Sequence, residues 1–119
     1  MDDEPGQALS SGLTVVLDGR EIAAAAILTG SFAGVLAEDV VVTTDGLELA
    51  GRDACALFLA GLVARLDPDS VETQSVNGEP GLALRRGITV VAVAVAHARD
   101  GYIGRLWLVS EPAKLRSWN

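Results

Sequence analysis

From Val71 to Val109 the chain alternates apolar residues with small or polar ones, and three pairs ending in glycine break the pattern: Asn77-Gly78, Arg86-Gly87 and Asp100-Gly101. Glycine at the second turn position accepts the positive φ of a tight hairpin, so the stretch predicts four antiparallel strands folded as a meander. Upstream the period lengthens. The alanine-rich run Arg20–Leu28 predicts a helix ended by Thr29-Gly30, and Ser31 can cap a second short helix over Phe32–Ala37. Val40–Thr44 is β-branched and stops at Asp45-Gly46, which predicts a strand. Asp53 then opens a helix to Leu66 that Asp67-Pro68 terminates. Leu13–Leu17 is a further β-branched run, expected to be a strand or a swapped arm. Residues 1–8 are rich in acid, Pro and Gly and predict a flexible acidic tail, leaving 9–119 as a single domain. Helices segregated from an antiparallel sheet make the expected class α+β.

Two-residue loops at Arg86-Gly87 and Asp100-Gly101 would set Arg85 opposite Ile88 and Arg99 opposite Tyr102. His97 then opposes Gly104, Val95 opposes Leu106, and Ala94 opposes Trp107. Alternation sorts the side chains into two faces. One carries Leu82, Leu84, Val91, Val93, Val95, His97, Tyr102, Leu106 and Leu108. The other carries Ala83, Arg85, Val90, Ala92, Ala94, Ala96, Ile103, Arg105, Trp107 and Val109. Both faces are largely apolar and a helical layer covers only one, so the other is expected to meet a second copy of the chain. The alanine-rich face, with Trp107 as anchor, is the expected homodimer interface: Val90, Ala92, Ala94, Ala96, Arg105 and Trp107. The reverse assignment, in which this face meets the helices and the Leu/Val face dimerises, stays open at this point.

Composition narrows the classes of function. The chain has 119 residues and a formal net charge of -7, from nine basic and sixteen acidic side chains. Such a surface is repelled by phosphate backbones, so direct nucleic-acid binding is not expected. No apolar run approaches the roughly 20 residues of a spanning helix, so no membrane partner is expected. The acidic start Met1-Asp2-Asp3-Glu4-Pro5 lacks the basic region of a signal peptide, which predicts a cytoplasmic location. One cysteine, Cys55, and one histidine, His97, exclude an internal disulfide and a Cys/His zinc site, and no cofactor motif is present.

Several segments in order carry a resemblance. They are Phe32 to Gly46, Gly51 to Leu59, Val76-Asn77-Gly78-Glu79-Pro80-Gly81-Leu82, Asp100 to Ile103, and Ser110-Glu111-Pro112-Ala113-Lys114-Leu115-Arg116. Together, over roughly residues 20 to 118, they resemble the SnoaL-like domain at the C-terminus of a group of bacterial extracytoplasmic-function sigma factors, within the nuclear-transport-factor-2-like superfamily. The resemblance implies a cone-shaped half-barrel: a curved antiparallel sheet packed on about three N-terminal helices, usually dimeric, with a pocket between sheet and helices. On the face assignment above, that pocket would be lined by Phe58, Leu62, Leu82, Leu84, Val91, Val93, Val95, Leu106 and Leu108. In those sigma factors the domain is a regulatory module that contacts the sigma core. The sequence departs from the pattern in two places. No sigma region 2 or region 4 is present, and the glycine-rich segment expected after Asp45-Gly46 reads Leu47-Glu48-Leu49-Ala50.

Superfamily relatives include ketosteroid isomerases, polyketide cyclases and epoxide hydrolases, which implies a search for acid–base groups. Asp39, Asp45, Asn77, His97 and Tyr102 are available, and His97, Tyr102 and Asp45 are the catalytic candidates. Each also has an ordinary reading: Asp-Gly is a turn signal, a tyrosine beside a turn is a rim residue, and a histidine at a strand end is satisfied locally. The expected function is therefore a module that binds a small apolar molecule or a protein partner. The alternative is a small isomerase, cyclase or hydrolase, which requires the three groups to converge on one cavity.

Overall fold

The computed structural model describes residues 19–119. The expected tail over 1–8 and the run Leu13–Leu17 lie outside the described residues. The order is α1 (Gly19–Thr29), β1 (Leu36–Thr44), β2 (Leu47–Ala50), α2 (Arg52–Leu66), β3 (Ser70–Val76), β4 (Glu79–Arg86), β5 (Thr89–Arg99), β6 (Tyr102–Val109), and a C-terminal 3-10 helix over Pro112–Trp118. The six strands form one sheet in the order β2-β1-β6-β5-β4-β3. All neighbours are antiparallel except β1 and β6, which run parallel, so the sheet is mixed. No helix among the described residues is long and apolar enough to cross a membrane.

Two local expectations change. The short helix over Phe32–Ala37 is a turn at residues 33–35 followed by the start of β1. Ile103 N–H donates to Val35 O at 2.8 Å, so the β6 ladder captures this segment before a second helical turn can form. The Leu47-Glu48-Leu49-Ala50 segment is an added edge strand that pairs with β1. Three hairpins follow the chemistry of their turns. Asp45-Gly46, Asn77-Gly78 and Asp100-Gly101 all have positive φ at both positions (44° and 88°, 50° and 80°, 55° and 82°), the backbone of a type I′ turn.

The fourth hairpin does not follow the expected loop. Arg86 stays in β4 opposite Thr89, and Gly87, with φ 63°, takes the first corner while Ile88 takes the second. An arginine resists positive φ, whereas a glycine at the first corner suits a type II′ turn. Two bulges then change the register. Leu84 faces Ala92 but Arg85 faces Val90, which leaves Val91 without a partner on β4. His97 faces Arg105 but Ala98 faces Ile103, which leaves Gly104 without a partner on β5.

Odd shifts exchange the faces of a strand, and the assignment made from the unbroken register is corrected accordingly. Ala92, Ala94 and Ala96 lie on the helix side with Leu82, Leu84, Leu106 and Leu108, in one buried cluster with Ile22, Ile27, Leu59 and Leu62. Val90, Val93 and Val95 lie on the outward side with Ala83, and Trp107, Val109 and Trp118 pack against them. The alanines are what lets α1 sit close. A Cβ placed at Gly19 would lie 2.3 Å from Ala96 O.

Candidate functional site

The three catalytic candidates do not meet. Asp45 occupies the β1–β2 turn, where its Oδ2 accepts from Ser110 N–H at 3.2 Å and from Ser110 Oγ at 3.0 Å, with Lys114 Nζ 4.0 Å from Oδ1. It ties that turn to the chain just beyond the end of β6. Tyr102 starts β6 at the opposite end, beside the Asp100-Gly101 turn, and is exposed. His97 projects from the outward face, where its Nε2 lies 2.8 Å from Glu79 Oε1 and its ring stands edge-on to Trp107 with centroids 4.8 Å apart. Asp39 is engaged by Arg99, and Asn77 makes a turn corner. No cluster of three or more metal-ligating side chains exists among the described residues.

Leu62, Leu82, Leu84, Leu106 and Leu108, expected around a pocket, are instead packed into the core beneath the helices, and Phe58 and Val91 pack against that cluster. Val93 and Val95 point away from it. Of the expected interface residues, Val90, Arg105 and Trp107 belong to the outward side, while Ala92, Ala94 and Ala96 belong to the core.

The outward side carries a groove of about 440 Å³ lined by Val76, Asn77, Glu79, Val93, Ala94, Val95, Trp107 and Val109. Its form follows from the strand rows. Gly81 faces Gln74, and a Cβ there would come within 2.6 Å of Val76 Cγ2 and 2.7 Å of Ala94 O. The missing side chain lets Val76 lean over the sheet and form one wall. Trp107, opposite Val95, forms the other. A polar line bounds the upper rim. Glu79 pairs with His97, the Arg105 guanidinium carbon lies 4.8 Å from the Trp107 ring centre, and Arg105 Nη2 donates to Thr43 Oγ1 at 3.0 Å. Lower on the same face the Arg85 guanidinium, hydrogen-bonded to Glu72 at 2.8 Å, holds that carboxyl below its usual range. The chemistry of the groove is thus apolar contact with a polar edge. It offers no nucleophile and no pair of acids.

Glu79, Gly81 and Val76 were not singled out by sequence reasoning. Glu79 falls beside His97 only in the true register, and no local pattern around Gly81 shows that its missing side chain makes room for Val76. Cys55 is fully buried on α2, its Sγ 4.0 Å from Val40 O, and burial pushes its thiol pKa up. Cys55 is therefore expected to stay unmodified by a thiol reagent at pH 8 and to react once urea unfolds the chain. Rapid labelling of the native protein, followed by mass spectrometry, would contradict this placement.

The fold is of the SnoaL-like, nuclear-transport-factor-2-like type. The extracytoplasmic-function sigma factor SigJ of Mycobacterium tuberculosis is similar over 78% of this chain, with 26% identity and a TM-score of 0.55. The chain spans 40% of the length of SigJ. A five-substitution variant of Rd1NTF2_05 matches 73% of this chain and 90% of its own at 15% identity and a TM-score of 0.53. A putative polyketide cyclase from Sinorhizobium meliloti matches 74% of this chain and 90% of its own at 19% identity and a TM-score of 0.51. The last two likenesses establish the fold alone. No protein-family model matches the sequence, and no curated protein matches it.

Proposed function

We propose that this chain is a non-catalytic interaction module, acting in the cytoplasm, whose working surface is the outward face of the sheet and whose first partner there is a second copy of itself. One observation carries the reading. The acid–base candidates stand at opposite ends of β6 and on the outward face, whereas an apolar groove walled by Trp107 lies on the side that α1 and α2 leave uncovered. A half-exposed aromatic beside a concave apolar surface is the usual composition of an interface centre, and the rim of Glu79, His97 and Arg105 supplies its polar border. The groove accommodates a large apolar side chain of a partner, or a small apolar molecule in its place. The likeness to a sigma factor supports a regulatory role, exerted on a protein partner through the same face.

Light scattering at micromolar concentration is expected to give a mass near twice the 12.3 kDa of one chain. Trp107→Glu is expected to weaken association by roughly 30-fold or more, the scale of losing an aromatic hot spot. A wild-type chain that remains monomeric at these concentrations, or a Trp107→Glu variant that associates unchanged, would sink the proposal.

A further inference from the structure

The outward face is not open along its whole length. β6 ends at Val109 opposite Val93, so the first residues of β5 have no partner on that side. The C-terminal 3-10 helix, Pro112–Trp118, lies across this stretch. Val90 is buried beneath it, and one side chain satisfies its outward-directed backbone groups: Val90 N–H donates to Asn119 Oδ1 at 2.8 Å, and Val90 O accepts from Asn119 Nδ2 at 3.1 Å. A carboxamide presents the same donor and acceptor as a peptide unit, so Asn119 continues the ladder where β6 has stopped. Leu115, 2% exposed, is the segment's one buried side chain and packs with Val90, Ala83 and Val93.

Trp118 is half-buried against the same cluster, and the remaining contacts are light. Lys114 pairs with Glu111, the residue just before the segment, at 3.4 Å and reaches Asp45 only at 4.0 Å, with the Lys114 and Glu111 side chains half-exposed. A cavity of about 310 Å³ remains against the segment, lined by Leu66, Val90, Val91, Pro112 and Leu115 among others. A 3-10 helix of seven residues is also long for its kind, since the poorer hydrogen-bond geometry of that helix type makes runs beyond about four residues uncommon.

We propose that Pro112–Asn119 is a displaceable strap that competes with a second copy of the chain for the lower half of the interaction face. When it lifts, the Val90 backbone and the Ala83–Val90–Val93 surface join the groove around Trp107 and enlarge the area offered for association. Competition rests on the reading of this face as an interface, whereas opening of the strap is measured without a partner.

The test is amide hydrogen exchange read by NMR on the full chain at low concentration, together with association constants for the wild type, Asn119→Ala and Leu115→Ala. The Val90 amide is expected to exchange through a local opening, faster than the amides of Leu84 and Leu106. Asn119→Ala is expected to speed it about ten-fold, the scale of one lost hydrogen bond to a buried group, while the core amides stay unchanged. Both variants are expected to associate several-fold more tightly than the wild type. Exchange of the Val90 amide only with the slowest core amides, in wild type and Asn119→Ala alike, overturns the strap. Variants that open faster yet associate no more tightly overturn the competition. Failure of the interface reading has its own signature: a wild type that stays monomeric although the Val90 amide opens locally.

Discussion

Leu84→Ala is expected to cost about 2–5 kcal/mol of folding stability, read as a lowered midpoint in urea with an unchanged slope. Leu84 is 0% exposed in the middle of β4, and it contacts the cluster formed by Leu59, Leu62, Leu82, Ala92 and Leu108. Its neighbours are held by a sheet on one side and two helices on the other, so they cannot collapse into the space that an alanine would leave. The measurement also decides what the helix side of the sheet is. If the side chain lined a ligand pocket open to water, its truncation would remove little buried contact and cost under about 1 kcal/mol. A small loss would therefore contradict the packed interior described above. A loss of the expected size, unaccompanied by any change in association, would place the working surface on the other face.

A single methyl group at Gly19 is expected to have a comparable effect. The ideal Cβ of Gly19→Ala would sit 2.3 Å from Ala96 O, 2.6 Å from Ala96 C and 2.9 Å from Ala98 N. All three are backbone atoms of β5 beside the bulge at Gly104, and backbone paired with β6 cannot swing aside as the end of a flexible side chain can. The first turn of α1 must lift instead, which loosens Ile22, Ala23 and Ala26 against the sheet. The expected cost is roughly 3 kcal/mol, at the upper end of overpacking in a closed core. An unchanged thermal midpoint for Gly19→Ala would show that α1 does not rest on β5 in this way. The substitution also separates close packing from helix propensity, because alanine in an exposed helix would stabilise it.

Much of the fold is legible in the residues themselves. Asp45-Gly46, Asn77-Gly78 and Asp100-Gly101 are turns because Asp and Asn tolerate positive φ and glycine accepts it without strain. The helix ending at Leu66 stops where Asp67, with φ 49°, adopts the left-handed conformation ahead of a proline. The segments that resemble SnoaL-like domains lie on β1 and its turn, the first half of α2, the β3–β4 and β5–β6 hairpins, and the C-terminal 3-10 helix. The candidate site was much less legible. Trp107 and Arg105 were placed on an interaction face and remain on the outward side. The alanines grouped with them belong to the core, and Val93 and Val95, grouped with a pocket, line the outward groove. The carboxylate that meets His97 is Glu79, which sequence distance alone does not suggest.

The amino-acid sequence by itself determined the kinds of element and where most of them turn, because turn chemistry and hydrophobic period act within a few residues. It also determined that both sides of the sheet would be apolar. Which side is which was decided only by the tertiary structure. A strand repeats every two residues, so one unpaired residue at Val91 or Gly104 sends every later side chain to the opposite face. Whether such a bulge forms depends on packing far along the chain: α1 pressed against Ala96, β1 paired in parallel with β6, and the C-terminal segment closing over Val90. Those contacts join residues that no local pattern connects, and they turned a list of alternating alanines and valines into a closed core on one face and an apolar groove on the other.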